Sequence, residues 1–597
     1  MRYLRDCIDQ LTWRFSAGMM FPRIPTIKFE DEKFECSCCS KKLKVLKTQT
    51  KTAATLEIGQ FIIHETIKWC DNCNEFYRSD EPEKLVPYSC KFGFNVLVYV
   101  GMGLFVRHQN EKQIQGDLKD HNIPISIRQV GYLAKKFIVY LALAHKESQE
   151  KIKTLLLSRG GYILHLDATC EGDSPHLMTA LDEIAKIILD NIKMPSEKAD
   201  KIIPFLGQLK KSYGIPVAIV HDMGAGILSA VKEVFPCTPD YICHYHFLRD
   251  IGNDLFGNEY ARIRNELKKR RIRFFLRQMV KALKAKIETE PDLSQSFDTY
   301  LKKEGKARQI LPPVLAYIFS SWILDANSES QGYGFPFDRP HFIFYKRLHA
   351  VKDVLSSLST KKKKDRYILK LNNAIVRITK DRNLRRVVSS MEEKAQIFDQ
   401  LRDAMRIALA DGQKGLNDDG EDADIKTIKD AVVAFRNSAR IEKAIKNNVD
   451  YKKMVDQIDK YWEKLFADPI AVNTTSGEQL LVQPQRTNNI LERFFRDLKR
   501  MYRKKTGHKS LNRVIKSMIA DTPLVKNLAN PDYMEILLKG KNTLEERFAE
   551  IDAKLVRQEL NKKEAEQNKI PMRMKKVLKK PDLPFLITKN SKIMAPI

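Results

Sequence analysis

The sequence predicts a multidomain α+β protein, and three observations carry that prediction. The chain has 597 residues, which at about 150 residues per domain makes three or four folded units. Two C-x2-C pairs near the N-terminus mark a small unit organised by a metal. Further along, apolar runs of strand length alternate with helical periodicity over residues 158–250, and almost continuous helical periodicity follows over residues 251–470. Hydrophobic residues make up 43% of the chain and aromatics 9%, enough to build real cores, so wholesale disorder is excluded.

Charge and cysteine usage narrow the class. Lys plus Arg number 104 against 75 Asp plus Glu, a net +29 spread along most of the length, so the expected partners are polyanions. The longest apolar run, over residues 94–106, is shorter than the roughly 20 residues a bilayer span requires, and no membrane span is expected. The N-terminal MRYLRDCIDQLTWRF has no small-residue cleavage site of a secretory signal. Ten cysteines are too few for a disulfide scaffold. An intracellular setting is expected, the cytoplasmic nucleoid of a bacterium or the nucleus of a eukaryote.

Residues 1–33 form an N-terminal segment with a short helix-like stretch and a Pro-rich connector. Residues 34–90 are expected to be a zinc ribbon. Cys36, Cys39, Cys70 and Cys73 form two C-x2-C pairs, and each such pair delivers two thiolates from one tight turn, as tetrahedral Zn2+ requires. Scattered buried cysteines are the plainer reading, which the doubled spacing disfavours; Cys38 can substitute for a neighbour. Four protein ligands leave no open position, so the zinc is structural.

Residues 91–155 are expected to be a helix-turn-helix DNA-binding domain. Ser126 and Gln129 make a capping box, and Val130, Leu133, Ala134, Phe137, Ile138 and Leu141 recur on one face of the helix that follows. That helix would turn Arg128, Gln129, Tyr132, Lys135 and Lys136 outward, toward DNA. Two ordinary packed helices would read almost the same way.

Residues 156–255 alternate strands and helices. GYILHLDAT carries Asp167 near the end of one strand, and GIPVAIVHDMGAG ends another at His221 and Asp222, with Gly224 and Gly226 opening a helix. Two strand-end carboxylates can hold divalent cations through oxygen, although each alone reads as a turn residue or a cap. Glu171 and Asp173 compete with Asp167 for that role. Cys243 and His246 form a C-x2-H, with His244 between them; without a visible second pair they read as a structural strand edge rather than a zinc site.

Residues 256–480 are expected to be all-helical. The basic tract beginning at Lys268 faces DNA or solvent, Trp322 and Trp462 are core anchors or platforms for an unpaired base, and the acidic, Gly-containing residues 411–424 should be a mobile loop. Residues 481–530 hold TNNILERFFRDLKRMYRKK, in which Leu491, Phe494, Phe495, Leu498 and Tyr502 make an apolar stripe. Glu492, Arg496, Lys499 and Arg503 share another face. Asn489 with Glu492 also reads as a capping box, which would occupy the carboxylate with backbone N–H groups. Residues 531–597 read as a basic tail.

Taken in order, these blocks resemble the DDE transposases with an RNase H-like catalytic core, particularly the Mutator-like group and its bacterial insertion-sequence relatives. HLDAT matches the block that ends the first strand with an Asp, and VHDMGAGILSAVKEVFP the block of the second Asp with its Gly, helix and Phe-Pro. CHYH matches the C-x2-H on the next strand, and TNNILERFFRDLK the Asn pair before the Glu at the head of a late helix. The resemblance spans roughly residues 160–510. It implies an RNase H-like α/β core interrupted by a large helical insertion, with Asp167, Asp222 and Glu492 as catalytic residues holding Mg2+ (or Mn2+).

The implied activity is metal-dependent strand cleavage and strand transfer at the ends of a mobile element. Two ions flanking a phosphate would generate the nucleophile and stabilise the leaving oxygen. Arg496, Lys499 and Arg503 would neutralise phosphates without reading bases, and the N-terminal modules would supply specificity. Double-stranded DNA is the implied partner, and a homodimer or higher oligomer is implied because two ends are joined in one event. An RNase H-like nuclease without joining activity, and a domesticated non-catalytic DNA-binding protein, are the competing readings.

Overall fold

A computed structural model describes residues 23–301, 310–358, 365–409, 424–507, 510–567, 578–581 and 583. The helix-like stretch expected near the N-terminus falls within residues 1–22, and most of the acidic loop within residues 410–423; both lie outside the described residues. The fold is mixed α+β and multidomain, and three bodies within it bear on function.

The first body is a small sheet. Strands β1 (Thr26–Glu30), β2 (Lys44–Thr55), β3 (Gly59–Trp69) and β4 (Phe76–Tyr77) form it, with β3 antiparallel to β2 and β4 and parallel to β1. The Lys/Thr-rich text between the cysteine pairs is thus one long hairpin, its Thr, Val and Ile residues suiting a pleated surface. Strand β1 extends this unit into the segment assigned above to residues 1–33.

The second body joins residues 92–235 and 491–556 in one core. Helices α1 (Phe94–Phe105), α2 (Glu111–Asp120), α3 (Ile127–Glu147) and α4 (Gln149–Ser158) lead into a five-stranded sheet. Its strands are β5 (Ile163–Thr169), β6 (His176–Asp182), β7 (Ile188–Met194), β8 (Ala218–His221) and β9 (Asp240–Ile242), in the order β7-β6-β5-β8-β9. Strand β6 runs antiparallel to both its neighbours, and β8 runs parallel to β5 and β9. Helices α5 (Ala199–Tyr213) and α6 (Ala225–Val234) make the crossovers that parallel pairing requires.

The third body is helical, from α7 (His244–Lys269) and α8 (Ile272–Thr289) through α9 (Pro312–Leu324), α10 (Pro340–Ser357), α11 (Arg366–Thr379), α12 (Arg382–Ala404) and shorter helices to Leu465, around its own core. It is not all-helical. Strands β10 (Ile470–Asn473) and β11 (Gln479–Val482) close it as a hairpin that packs beside Ile163, Ala218 and Val220 of the main sheet. The turn at Gly477, with φ of 84°, permits that hairpin.

The chain then returns to the second body with α13 (Asn489–Thr506), whose Leu491, Phe494, Phe495, Leu498 and Tyr502 are buried there. The expected basic tail is corrected as well. Tyr533, Leu537, Phe548 and Val556 are buried in the same core, and α14 (Ala553–Gln567) lies along α3. Apolar residues at helical spacing within 531–556 account for this, since burying each is worth about 1.5–3 kcal/mol.

No helix among the described residues is long and apolar enough to cross a membrane.

Candidate functional site

The parallel register of β5 and β8 pairs Leu166 with His221. The residues that follow, Asp167 two positions before the end of β5 and Asp222 just past the end of β8, therefore lie side by side toward the C-terminal ends of these neighbouring strands. Asp167 is buried at 5% exposure and its Oδ1 accepts the Ala168 N–H at 2.8 Å. Asp222 Oδ1 accepts the Gly224 N–H at 3.0 Å, which bends the chain from strand into α6. A Cβ on Gly226 would lie 1.9 Å from the Glu197 carbonyl oxygen, so only glycine allows α6 to start so close to the neighbouring loop.

Glu492 joins them from the first turn of α13, its side chain 27% exposed. Burial holds the Asp167 carboxyl well above the usual carboxylate range, and the charges of Asp222 and Glu492 push it further in the same direction. These three carboxylates thus share one electrostatic neighbourhood. They are more open than a closed cage: among the described residues, the one His/Cys/Asp/Glu group whose ligand atoms all lie within 4.8 Å of one another is the cysteine quartet.

What holds Glu492 there is a set of contacts to the residues just before it. Asn488 Nδ2 donates to the Leu166 carbonyl at 2.9 Å, and Asn488 Oδ1 lies 2.9 Å from His165 Nδ1. His165 Nε2 lies 2.8 Å from Glu183 Oε2, and the Glu183 carboxylate accepts the Gln485 N–H at 3.2 Å. The Asn488 N–H donates to Cys243 Sγ at 3.3 Å, and the His244 N–H donates to the Arg486 carbonyl at 2.8 Å. His246 Nε2 stands 3.7 Å from Glu492 Oε1, and burial pulls the His246 imidazole down to about 3.

These contacts correct two readings. The residue that caps α13 is Asn488, not Asn489, and its side chain makes no cap hydrogen bond because β5 occupies it. Asn489 and Glu492 therefore do not stand at the N-cap and N3 positions that a capping box uses. Cys243 and His246 belong to no metal-sized cluster among the described residues; they are structural, but not at a strand edge as expected: β9 ends at Ile242, Cys243 caps α7 and His246 lies in its first turn, from where they brace the entry to α13. His165, Glu183 and Asn488 carry no local signal of this role: nothing near the TNN tripeptide shows that its Asn488 bonds a strand more than 300 positions away.

Glu171 and Asp173 are held elsewhere. The Glu171 carboxylate accepts the Leu511 N–H at 2.5 Å, while Asp173 accepts from Asn512 Nδ2 and Lys516 Nζ, each at 2.7 Å. Lys516 and Asn512 hold the Asp173 carboxyl down at about 2.

The cysteine quartet forms as expected. Each pair sits in the same turn: Cys36 N–H donates to Lys41 O and Ser40 N–H to Cys36 O, and Cys70 N–H donates to Glu75 O and Asn74 N–H to Cys70 O, with Ser40 and Asn74 both at positive φ. Cys39 Sγ and Cys70 Sγ are 3.5 Å apart. The Tyr77 hydroxyl donates to Cys36 Sγ at 3.3 Å and, more than any other contact, pulls that thiol down to about 6. Four sulfur atoms at this spacing can hold a metal ion. Cys38 is exposed and outside the quartet.

The two helices expected after residue 107 are present as α2 and α3, each opened by a capping box, Asn110 with Gln113 and Ser126 with Gln129. The predicted apolar stripe of α3 is buried throughout. Arg128, Tyr132 and Lys135 are exposed, and the Gln129 side chain is engaged in its cap. Lys136 is not outward as expected: it is 4% exposed, because α3 is enclosed on more sides than a single stripe suggests. Arg496, Lys499 and Arg503 are exposed on α13, with Lys499 Nζ 4.0 Å from Glu171 Oε2. Trp322 is 43% exposed beneath the Arg347 guanidinium, and Trp462 packs on Phe466.

No protein-family model matches the chain, and no curated protein matches it.

Proposed function

We propose that the chain is a DDE-type DNA transposase whose RNase H-like core carries Asp167, Asp222 and Glu492 as its catalytic carboxylates. The observation that carries this reading is their convergence: two neighbouring strands and a helix whose Glu492 follows Asp222 by 270 positions bring three acidic groups together closely enough that Asp222 and Glu492 raise the Asp167 carboxyl. The strand order β7-β6-β5-β8-β9, antiparallel in its first half and parallel in its second, supports an RNase H-like core.

The donor set fits a divalent cation. Clustered carboxylates that repel one another, one of them buried, are the hard oxygen ligands that Mg2+ and Mn2+ take. When bound, such ions activate an attacking hydroxyl and stabilise the leaving oxygen of a phosphodiester. Asp167 and Asp222 supply fixed oxygens from the sheet edge. Glu492 supplies its oxygen from a helix tethered to that edge through Asn488. Arg496, Lys499 and Arg503, on the exposed face of the same helix, would neutralise the phosphates of double-stranded DNA. Zn2+ in the cysteine quartet is the structural metal of this reading, and it fixes the two turns relative to each other.

The test is cleavage of a supercoiled plasmid carrying the gene's flanking DNA, with Mg2+, by the wild-type chain and by Asp167→Asn, Asp222→Asn and Glu492→Gln. Cuts at element ends in the wild type, lost in each variant with end binding retained, are expected. Undiminished cleavage by Glu492→Gln would remove that residue from the site. End binding without cuts by any of these proteins would mark a non-catalytic DNA-binding protein.

A further inference from the structure

Lys136, turned inward from α3, lines a cavity of about 340 Å3 between α3, the Tyr88–Ser89 loop and α14. Burial in that setting is costly for an ammonium group unless an opposite charge meets it. Among the described residues its one hydrogen-bond partner is the Tyr88 carbonyl, at the long distance of 3.5 Å, and it has no ion pair. Desolvation accordingly pulls its pKa down.

The other polar side chains lining the cavity comprise one further cation and several hydroxyl and amide groups. Arg557 and Asn561 come from α14, Ser89 from the loop, and Tyr132 and Tyr140 from α3. All can donate hydrogen bonds, and among the described residues no carboxylate lines the space. Two cations with hydroxyl and amide donors arriving from three segments suit a tetrahedral oxyanion, whose oxygens accept from several directions at once. A planar carboxylate would leave some of these donors unmet. Arg557 and Asn561 are exposed, so the cavity opens to solvent on the α14 side and admits a group attached to something larger.

We propose that this cavity is a binding site for a single phosphoryl group, held by Lys136 at its base and Arg557 at its mouth. The inference rests on the cavity and its lining and stands apart from the transposase reading. The same chemistry is offered by free phosphate and by a backbone phosphate of DNA.

The experiment uses the full-length chain. Thermal unfolding is followed while potassium phosphate replaces potassium chloride at constant ionic strength, for the wild type, Lys136→Met and Arg557→Gln. Binding of a short DNA duplex to the same three proteins is measured with and without phosphate. The wild type should be stabilised saturably by phosphate or should bind duplex in a manner that depends on Lys136. Either variant should weaken that response by about tenfold or more, the loss expected for one charge-assisted hydrogen bond. Lys136→Met should fold at least as well as the wild type in chloride, since it removes a buried charge without a counter-charge; Arg557→Gln, on the surface, carries the test if it does not. Competition between phosphate and duplex would assign the site to the DNA backbone, and independent binding would assign it to free phosphate. No response to either probe, or responses equal in all three proteins, would overturn the proposal.

Discussion

Asn488 and His165 meet at 2.9 Å across the junction between the main sheet and the helix that carries Glu492. The same amide donates to the carbonyl of Leu166, one residue before Asp167. One side chain therefore ties the start of the Glu492 helix to the strand that carries Asp167, alongside the other contacts of the junction.

Replacing Asn488 should consequently uncouple these two acids. Asn488→Ala removes both bonds and leaves the buried Leu166 carbonyl and His165 without that partner, at a cost of about 1–3 kcal/mol. Under the proposed function, strand cleavage should fall by about tenfold or more, the effect of only about 1.4 kcal/mol at the transition state. DNA binding should be nearly unchanged. Cleavage rates and duplex affinities for the folded variant check this, and wild-type cleavage would show that the junction does not govern Glu492.

Metal removal should act on the small sheet alone. Its cysteine quartet shares little core with the rest of the chain: Leu43 and Tyr77 are the apolar residues packed with it. Chelation or Cys70→Ser should unfold the two turns and strand β4 while the main transition persists. Elemental analysis, together with calorimetry before and after chelation, reads this out; bound zinc absent from freshly purified protein would remove the claim.

The buried His145 predicts an acid-side loss of stability. Its ring meets Tyr533 Oη at 3.0 Å, Tyr213 Oη at 3.0 Å and the Leu189 carbonyl at 2.9 Å, and burial pulls it down to about 4. Between that value and the ordinary histidine value the unfolded chain binds the extra proton, so stability falls as pH drops from about 6.5 toward 4. Asp182 and Asp190, which burial raises to about 6, act in the opposite sense, because their protonated forms favour the folded state over part of the same window. His145→Asn isolates the histidine: it should lower stability at pH 7 and flatten the decline by up to about 3 kcal/mol. Urea unfolding of both proteins from pH 7 to pH 4.5 measures the difference, and parallel curves would exclude His145 as the cause.

Neutralising the exposed face of α13 should change salt dependence rather than sequence preference. If Arg496, Lys499 and Arg503 each contact a phosphate, substitution by Gln should lessen the slope of log K against log salt by about 0.9 per residue. The loss should be similar for cognate and unrelated duplexes. Titrations at several salt concentrations decide it, and a change confined to one sequence would point to base contact instead.

The elements that the sequence announced are those with local causes. Strand β5 with Asp167 near its end, strand β8 with Asp222 and the glycines behind it, the Ser126 capping box and the apolar stripe of α13 all follow from neighbours within a few positions. So do the paired cysteine turns, built by repeated spacing. What stayed hidden depends on contacts between distant segments. Lys136 is enclosed by α14, which starts more than 400 positions later, and Asn488 spends its side chain on β5 rather than on its own helix. The β10–β11 hairpin was masked by the helical periodicity around it, and the burial of residues 531–556 by the net positive charge of the C-terminal region.

The bond between Asn488 and Leu166 closes a separation of 322 positions. During synthesis at about 5–20 residues per second, roughly 20–60 seconds elapse between the emergence of its two ends. Throughout that interval the nascent chain holds β5 without its partner helix, and Cys243 and His246, once made, have nothing to brace. A ribosome-bound or truncated product that ends between Asp222 and Glu492 would thus present two acids and lack the third. The gap in the sequence works as a timer: the helical body between β9 and α13 must be made, and must fold back, before the protein owns a complete acidic centre.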